Sequence, residues 1–190
     1  LMVSLGEGRT PLLHAKVLGK KLGMSNLFLK YEGANPTGVF KDRGSAIEIT
    51  KALELGAKAV TCASTGNMAA SVAAYCAKAK LPCYVVIPEK TPLGKLAQAI
   101  AYGAHVIKVR GDYRDCVRLS VEMARHYGYY LAGDYAFRLE GQKTIAYELS
   151  QQMGGKSPDW VIVPVGCGTN LSAVYKGFCE LITLGILKKM

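Results

Sequence analysis

Tyr84-Val85-Val86-Ile87 is apolar at four consecutive positions. A strand with one wet face alternates apolar and polar side chains, whereas one that is apolar on both faces belongs to a sheet covered by helices on both sides. Val161-Ile162-Val163 repeats the pattern further along the chain. Working outward from these two, short β-type runs alternate with longer helical patterns, which signals a parallel α/β sheet. The pattern predicts strands over Asn26–Tyr31, Lys58–Cys62, Cys83–Ile87, His105–Val109, Tyr129–Leu131 and Trp160–Val165. Between them it predicts helices near Leu12–Leu22, Asp42–Leu55, Asn67–Lys80, Leu93–Tyr102, Asp112–His126, Leu139–Met153 and Leu171–Leu184. Gly23, Gly56, Gly103 and Gly128 follow four of these helices, where a left-handed C-cap is expected.

Composition fits such a fold. Half of the 190 residues are hydrophobic and 20% are charged, enough to bury a core in one or two domains and too apolar for a disordered chain. No run of uncharged apolar residues is long enough for a membrane span, and Leu1–Gly8 lacks the basic-then-apolar order of a signal peptide. The six cysteines are scattered without CxxC or Cys/His ligand spacing, so neither a zinc site nor a disulfide framework is expected. A reducing, cytoplasmic setting suits them. The net charge of +10 points to anionic partners. The basic residues are nevertheless dispersed, with Lys20-Lys21, Lys108-Val109-Arg110 and Lys188-Lys189 as the densest groups. A phosphorylated metabolite or cofactor explains that charge at least as well as nucleic acid, and no nucleic-acid partner is expected.

In a parallel sheet, ligands sit where strand ends feed helix N-termini, and three motifs fall in or beside such loops. The first is Asn35-Pro36-Thr37-Gly38-Val39-Phe40-Lys41-Asp42-Arg43-Gly44. Its turn residues place Lys41 at a helix start beside Arg43, a setting that favours nucleophilic and Schiff-base chemistry. The second, Ala63-Ser64-Thr65-Gly66-Asn67, opens the helix that follows a strand and can hold a carboxylate with backbone N–H groups and side-chain donors. The third, Val165-Gly166-Cys167-Gly168-Thr169-Asn170, lets the backbone approach a phosphate, with Thr169 and Asn170 adding donors. Each has a plainer alternative when taken singly: a solvated lysine after a turn, an ordinary helix cap, a glycine turn. Together they are the inventory of a pyridoxal-phosphate (PLP) enzyme acting on an amino acid.

The order of these motifs resembles the tryptophan-synthase-β family of PLP enzymes, fold type II. Within it, the details are similar to the threonine synthases: Gly6-Glu7-Gly8-Arg9-Thr10-Pro11-Leu12, Lys30-Tyr31-Glu32-Gly33, Gly94-Lys95-Leu96-Ala97-Gln98 and Arg138-Leu139-Glu140-Gly141-Gln142-Lys143-Thr144. The resemblance implies that Lys41 is the Schiff-base lysine and that Asn67 bonds the cofactor's 3′-oxygen. It implies that Gly166, Cys167, Gly168, Thr169 and Asn170 hold the cofactor phosphate, and that Ser64, Thr65 and Gly66 hold the substrate carboxylate. The implied fold is α/β with doubly wound parallel sheets in two lobes. A small lobe would span 32–133, and a large lobe, incomplete at its C-terminal side, would comprise 1–31 and 134–190. The implied reaction converts O-phosphohomoserine and water to threonine and phosphate, with a small phosphorylated amino acid as substrate and a homodimer as the candidate assembly. A serine/threonine dehydratase, a β-replacement synthase and a non-catalytic PLP-binding homologue are the alternatives.

Two departures from the family pattern stand out. Ala132-Gly133-Asp134-Tyr135-Ala136-Phe137 replaces a stretch in which Asn and Ser are expected to touch the substrate phosphate, leaving Arg138, whose fork suits a phosphate, as the candidate. The family's catalytic unit also continues past the length of this chain and supplies a Ser or Thr facing the pyridine nitrogen, so the chain reads as a fragment.

Overall fold

The computed structural model describes residues 2–188; Lys189, half of the last basic pair, lies outside them. The chain opens with β1 (Leu12–His14), α1 (Lys16–Leu22) and β2 (Phe28–Lys30), followed by a 3-10 turn at Glu32–Ala34. Then come α2 (Lys41–Glu54), β3 (Val60–Ala63), α3 (Asn67–Ala79), β4 (Cys83–Pro88), a 3-10 turn at Leu93–Leu96, α4 (Ala97–Ala101), β5 (His105–Val109), α5 (Tyr113–Tyr127) and β6 (Tyr130–Leu131). Three helices follow: α6 (Ala136–Gln142), α7 (Thr144–Gln152) and α8 (Thr169–Thr183). β3 to β6 form one sheet in the order β5-β4-β3-β6, parallel throughout, with Val60 opposite both Cys83 and Tyr130.

β4 behaves as its sequence demands. Val85 and Ile87 face a core shared with α2, α3 and α4, through Ala46, Ile49, Val72, Tyr75 and Ala99. Val86 faces the other way, against Cys116 and Met123 of α5. All three β4 side chains are fully buried, worth about 1.5–3 kcal/mol each. A third cluster joins α7 and α8 through Ile145, Leu149, Val174 and Phe178, with Phe40 packed against it. The four capping glycines adopt the expected left-handed conformation, with φ between 66° and 85°.

Four expectations need correction. The Leu12–Leu22 helix begins only at Lys16, because Leu12–His14 pairs antiparallel with Phe28–Lys30 and Ala15 N–H donates to Leu27 O. Leu93–Tyr102 splits into a 3-10 turn and α4. Leu139–Met153 divides at Lys143 into α6 and α7; there the Thr144 hydroxyl donates to the Gly141 carbonyl at 2.7 Å, a back-bond that bends helices. The strand expected over Trp160–Val165 does not form. A strand needs a ladder partner, and among the described residues none lies beside it: Trp160 and Ile162 are 87% and 89% exposed.

The contact that positions the site is the crossing of α2 and α6. A Cβ on Gly141 would stand 1.9 Å from Arg43 O, and one on Gly44 would stand 2.6 Å from Arg138 Cγ. Only glycine permits so close an approach. Beside the crossing, the Arg43 guanidinium donates to Glu32 (2.8 Å) and Glu148 (2.7 Å), and Lys30 Nζ reaches Glu148 at 2.7 Å. This ionic cluster ties β2, the 3-10 turn, α2 and α7 together. Burial works to raise the Glu148 carboxyl, but the Arg43 and Lys30 hydrogen bonds outweigh it and hold the group at about 2.

Candidate cofactor site

Lys41 is the first residue of α2 and is half-buried, which sets it apart from a solvated surface lysine. The turn before it is stapled from within. Buried Asp42 accepts from Thr37 N–H (2.7 Å), the Thr37 hydroxyl (2.6 Å) and the Ser71 hydroxyl (2.6 Å). Asp42 therefore locks the Asn-Pro-Thr-Gly turn to α2 and α2 to α3, rather than serving as a simple helix cap. Lys41 Nζ lies 5.1 Å from the Phe40 ring centroid.

Opposite Lys41 runs the loop 165–170. Gly168, at φ 86° and ψ −17°, caps α8, whose first residue is Thr169. A Cβ on Gly166 or Gly168 would meet nothing within 4 Å, so this backbone borders open space. Lys41, Phe40, Asp134, Gln142 and the segment from Pro164 to Leu171 line one cleft of about 320 Å3. The lysine and all five residues of the expected phosphate loop are thus brought together. The start of a 15-residue helix with glycine-freed backbone is a seat for an anion.

Asp134, exposed at the rim of the cleft, is a member the sequence reading passed over. Desolvation raises its carboxyl, but hydrogen bonds from Cys167 and Thr169 and the charges of Lys41 and Arg138 outweigh that and leave it below the ordinary value. The hydrogen bond to Asp134 in turn raises the Cys167 thiol. An acidic side chain thus sits where a phosphate-binding Asn-Ser stretch was the family expectation.

The Ser64–Asn67 loop follows β3 but is not among the residues lining this cleft. Ser64 Oγ accepts from Ala69 N–H at 3.2 Å, which caps α3, while Thr65 and Gly66 are half-buried and Asn67 is exposed. Ser71, one turn along α3, bonds Asp42 and Ser45, so the loop is tethered to the helix that carries Lys41.

Arg138 is a correction. Its side chain is fully buried and paired with Glu48, Nε donates to Gly133 O at 2.9 Å, and Nη1 donates to Lys41 O at 3.4 Å. A guanidinium committed in this way cannot also meet a substrate phosphate. Burial, only partly offset by Arg138, pushes the Glu48 carboxyl up to about 7. Gln142 is the other residue without an assigned role: it is fully buried in the cleft wall, and neither end of its carboxamide has a partner. It stands inside a motif quoted for resemblance alone, which was the only signal available.

A family model described as pyridoxal-phosphate dependent enzyme matches residues 3–186. A threonine synthase from Methanocaldococcus jannaschii is 50% identical over 191 residues, covering 100% of this chain and 47% of that protein. A threonine synthase from Mycobacterium tuberculosis is 44% identical, covering 99% and 52% respectively. Among solved structures, maize serine racemase superposes with a TM-score of 0.81 at 27% identity, covering 92% of this chain and 53% of that one. A threonine deaminase from Solanum lycopersicum gives 0.81 at 26%. The chain spans about half the length of these relatives.

Proposed function

Because the chain belongs to the pyridoxal-phosphate-dependent enzyme family, we propose that it carries the lysine and phosphate cradle of a cytoplasmic threonine synthase, turning O-phosphohomoserine and water into threonine and phosphate. The observation that carries this reading is the convergence of Lys41 and Gly166–Asn170 on one cleft. The residues present fit the cofactor. Lys41 would supply the amine, and the backbone of Gly166, Cys167, Gly168, Thr169 and Asn170 at the start of α8, which borders open space at Gly166 and Gly168, would supply donors for its phosphate. Asn67 would hold the 3′-oxygen, and Ser64, Thr65 and Gly66 the substrate carboxylate, from the neighbouring loop. Were the chain divided into a small lobe (32–133) and a large lobe (1–31 with 134–190), Phe40 and Lys41 would come from the one and Asp134, Gln142 and Pro164 to Leu171 from the other, which supports a cleft between lobes.

When bound, the cofactor supplies an electron sink for negative charge developing beside the substrate nitrogen. Lys41 Nζ would hold the cofactor and, as a free amine, would take a proton and return it as general base and then acid. The Phe40 ring beside Nζ keeps that face apolar and limits water at the amine. Gly168, at φ 86°, turns the loop into the start of α8, whose first N–H groups have no intrahelical acceptor.

Reduction of the loaded protein with borohydride should fix the cofactor on Lys41, and Lys41→Ala should lose both the adduct and the visible absorbance. An adduct on another lysine, with turnover intact in the variant, would overturn the assignment. One observation favours a second reading, a related dehydratase: Asp134 in the cleft together with the burial of Arg138 leaves few groups for a substrate phosphate. Supplying O-phosphohomoserine and assaying threonine and phosphate, against keto acid and ammonia from serine or threonine, separates the two.

A further inference from the structure

The side chains of Arg138 and Glu48 are wholly shut off from solvent. A buried ion pair is costly to desolvate, and apolar side chains of similar volume often stabilise a fold as well or better. Stability alone therefore gives weak grounds for placing one here. The bonds of this pair point elsewhere. Glu48, about two turns along α2 from Lys41, accepts from Arg138 and from Gly133 N–H at 3.0 Å. Arg138 donates through Nε to Gly133 O at 2.9 Å and through Nη1 to Lys41 O at 3.4 Å. Lys41 lines the cleft, as does Asp134, the residue after Gly133.

The pair thus lies behind the cleft, touching nothing that enters it, and grips the main chain at two points of its wall. A bare ion pair needs no such reach. The guanidinium is a rigid planar fork whose donors can span three acceptors at once, which an ammonium cannot do. Its stem is held as well: a Cβ on Gly44 would stand 2.6 Å from Arg138 Cγ, so the side chain threads the closest part of the α2–α6 crossing. Asp42 fixes the turn that precedes Lys41, through Thr37 and Ser71. Arg138 fixes the carbonyl of Lys41 itself. A lysine side chain is long and flexible, so a fold can aim its amine only through the main chain and the groups packed beside it.

We infer that Arg138 and Glu48 are positioning residues, whose buried pair holds the main chain of Lys41 and Gly133 in one fixed relation and so sets the lysine amine against the cleft. The inference rests on the PLP reading above and concerns how Lys41 is presented, not what touches the cofactor. Reactive groups must be held to within about 0.5 Å of the productive geometry by neighbours that are themselves locked. A buried fork tied to a carboxylate on the same helix as the lysine meets that demand. It also gives a reason for two charges in a place where apolar packing would serve the fold.

The test combines three measurements made well below the unfolding midpoint: PLP affinity by visible absorbance, thermal unfolding of the cofactor-free form, and acetylation of Lys41 in that form relative to exposed Lys78. Arg138→Lys keeps a cation beside Glu48 but cannot span Gly133 O and Lys41 O. Its dissociation constant for PLP should rise about tenfold, equivalent to about 1.4 kcal/mol. Lys41, half-buried in the parent, should acetylate faster once its main chain is released. Arg138→Met combined with Glu48→Met removes both charges together and keeps the volume, so its midpoint should stay near the parent's. Its PLP affinity should nevertheless remain about tenfold weaker, because the clasp on Lys41 is gone. A double variant that regains the parent's PLP affinity along with its midpoint overturns the proposal, since the pair then serves the fold alone. If the double variant does not fold, an Arg138→Lys protein with the parent's affinity and Lys41 acetylation rate overturns it equally. Should the parent form its Lys41 adduct while the variants match it, this inference alone fails; should the parent form none, the PLP reading fails with it.

Discussion

Placing a methyl group at Gly141 is the most direct test of how the site is built. In an open helix, Gly→Ala gains about 1 kcal/mol. Here the new Cβ would stand 1.9 Å from Arg43 O, 2.5 Å from its carbonyl carbon and 2.7 Å from Gly44 Cα. Non-bonded carbon contacts settle near 3.5–4.0 Å, and these obstacles are backbone atoms, so no rotamer change relieves them. α2 and α6 must part by more than an ångström. Overpacking of this kind costs about 3 kcal/mol at the upper end of its usual range, which leaves a net loss near 2 kcal/mol after the helix gain. For a chain of this size that lowers the melting midpoint by about 4–8 °C. The movement also shifts Lys41 relative to Gln142, so PLP affinity should fall with stability. Gly94→Ala is the control, because a Cβ there meets nothing within 4 Å and the backbone is not left-handed. Calorimetry or urea unfolding read by circular dichroism decides the matter. A Gly141→Ala protein as stable as the parent, or more so, would refute the close crossing and the positioning of the cleft that follows from it.

Two ionisable groups make opposite contributions to the pH profile. Glu148 is held at about 2, below its ordinary 4.5; its contribution, about 3 kcal/mol, is complete above pH 4.5 and is lost as the pH falls towards 2. The gap between the urea midpoints of the parent and Glu148→Gln should therefore narrow from pH 5 down towards pH 2, and a constant gap would contradict the assignment. Glu48 is raised to about 7, so its contribution is complete below pH 4.5 and is lost as the pH rises through 7. Glu48→Gln should flatten that decline by roughly 3 kcal/mol; an unchanged slope from pH 5 to pH 8 would show that burial does not govern this carboxyl.

The sheet was legible because its signal is local. Four apolar residues at Tyr84–Ile87 require cover on both faces, and α3 and α5 provide it. The same pattern at Val161–Val163 misled, since periodicity reports what a segment would bury and not whether a neighbouring strand is there to pair with it. Lys41 and Gly166–Asn170 were readable because helix starts and glycine loops carry their chemistry in sequence. Arg138 was not. A forked cation suits a phosphate and a buried carboxylate equally well, and only the tertiary placement of Glu48, 90 residues away, decides between them. Gln142 was hidden for a related reason: an amide becomes informative only when its surroundings fail to satisfy it.

The altered stretch from Ala132 to Phe137 becomes intelligible once Glu48 and Arg138 are considered together. Ala132 is buried, and its N–H donates to Thr61 O, extending the sheet edge. Gly133 gives its N–H to Glu48 at 3.0 Å and its carbonyl to Arg138. These two positions are spent on joining β6 to the buried ion pair, whose side chains also join α2 to α6. Asp134 is the next residue and lines the cleft with Lys41, Cys167 and Thr169, whose hydrogen bonds and charge hold its carboxyl below the ordinary value. A carboxylate 4 Å from a phosphate costs on the order of 1–4 kcal/mol between bulk water and a protein surface, against which Lys41 and the α8 start must act. On the proposed reading, the Asp134 carboxylate therefore weighs against a phosphorylated substrate relative to an amino acid with a neutral hydroxyl side chain. The comparison of threonine plus phosphate with keto acid plus ammonia reads the consequence of that charge directly.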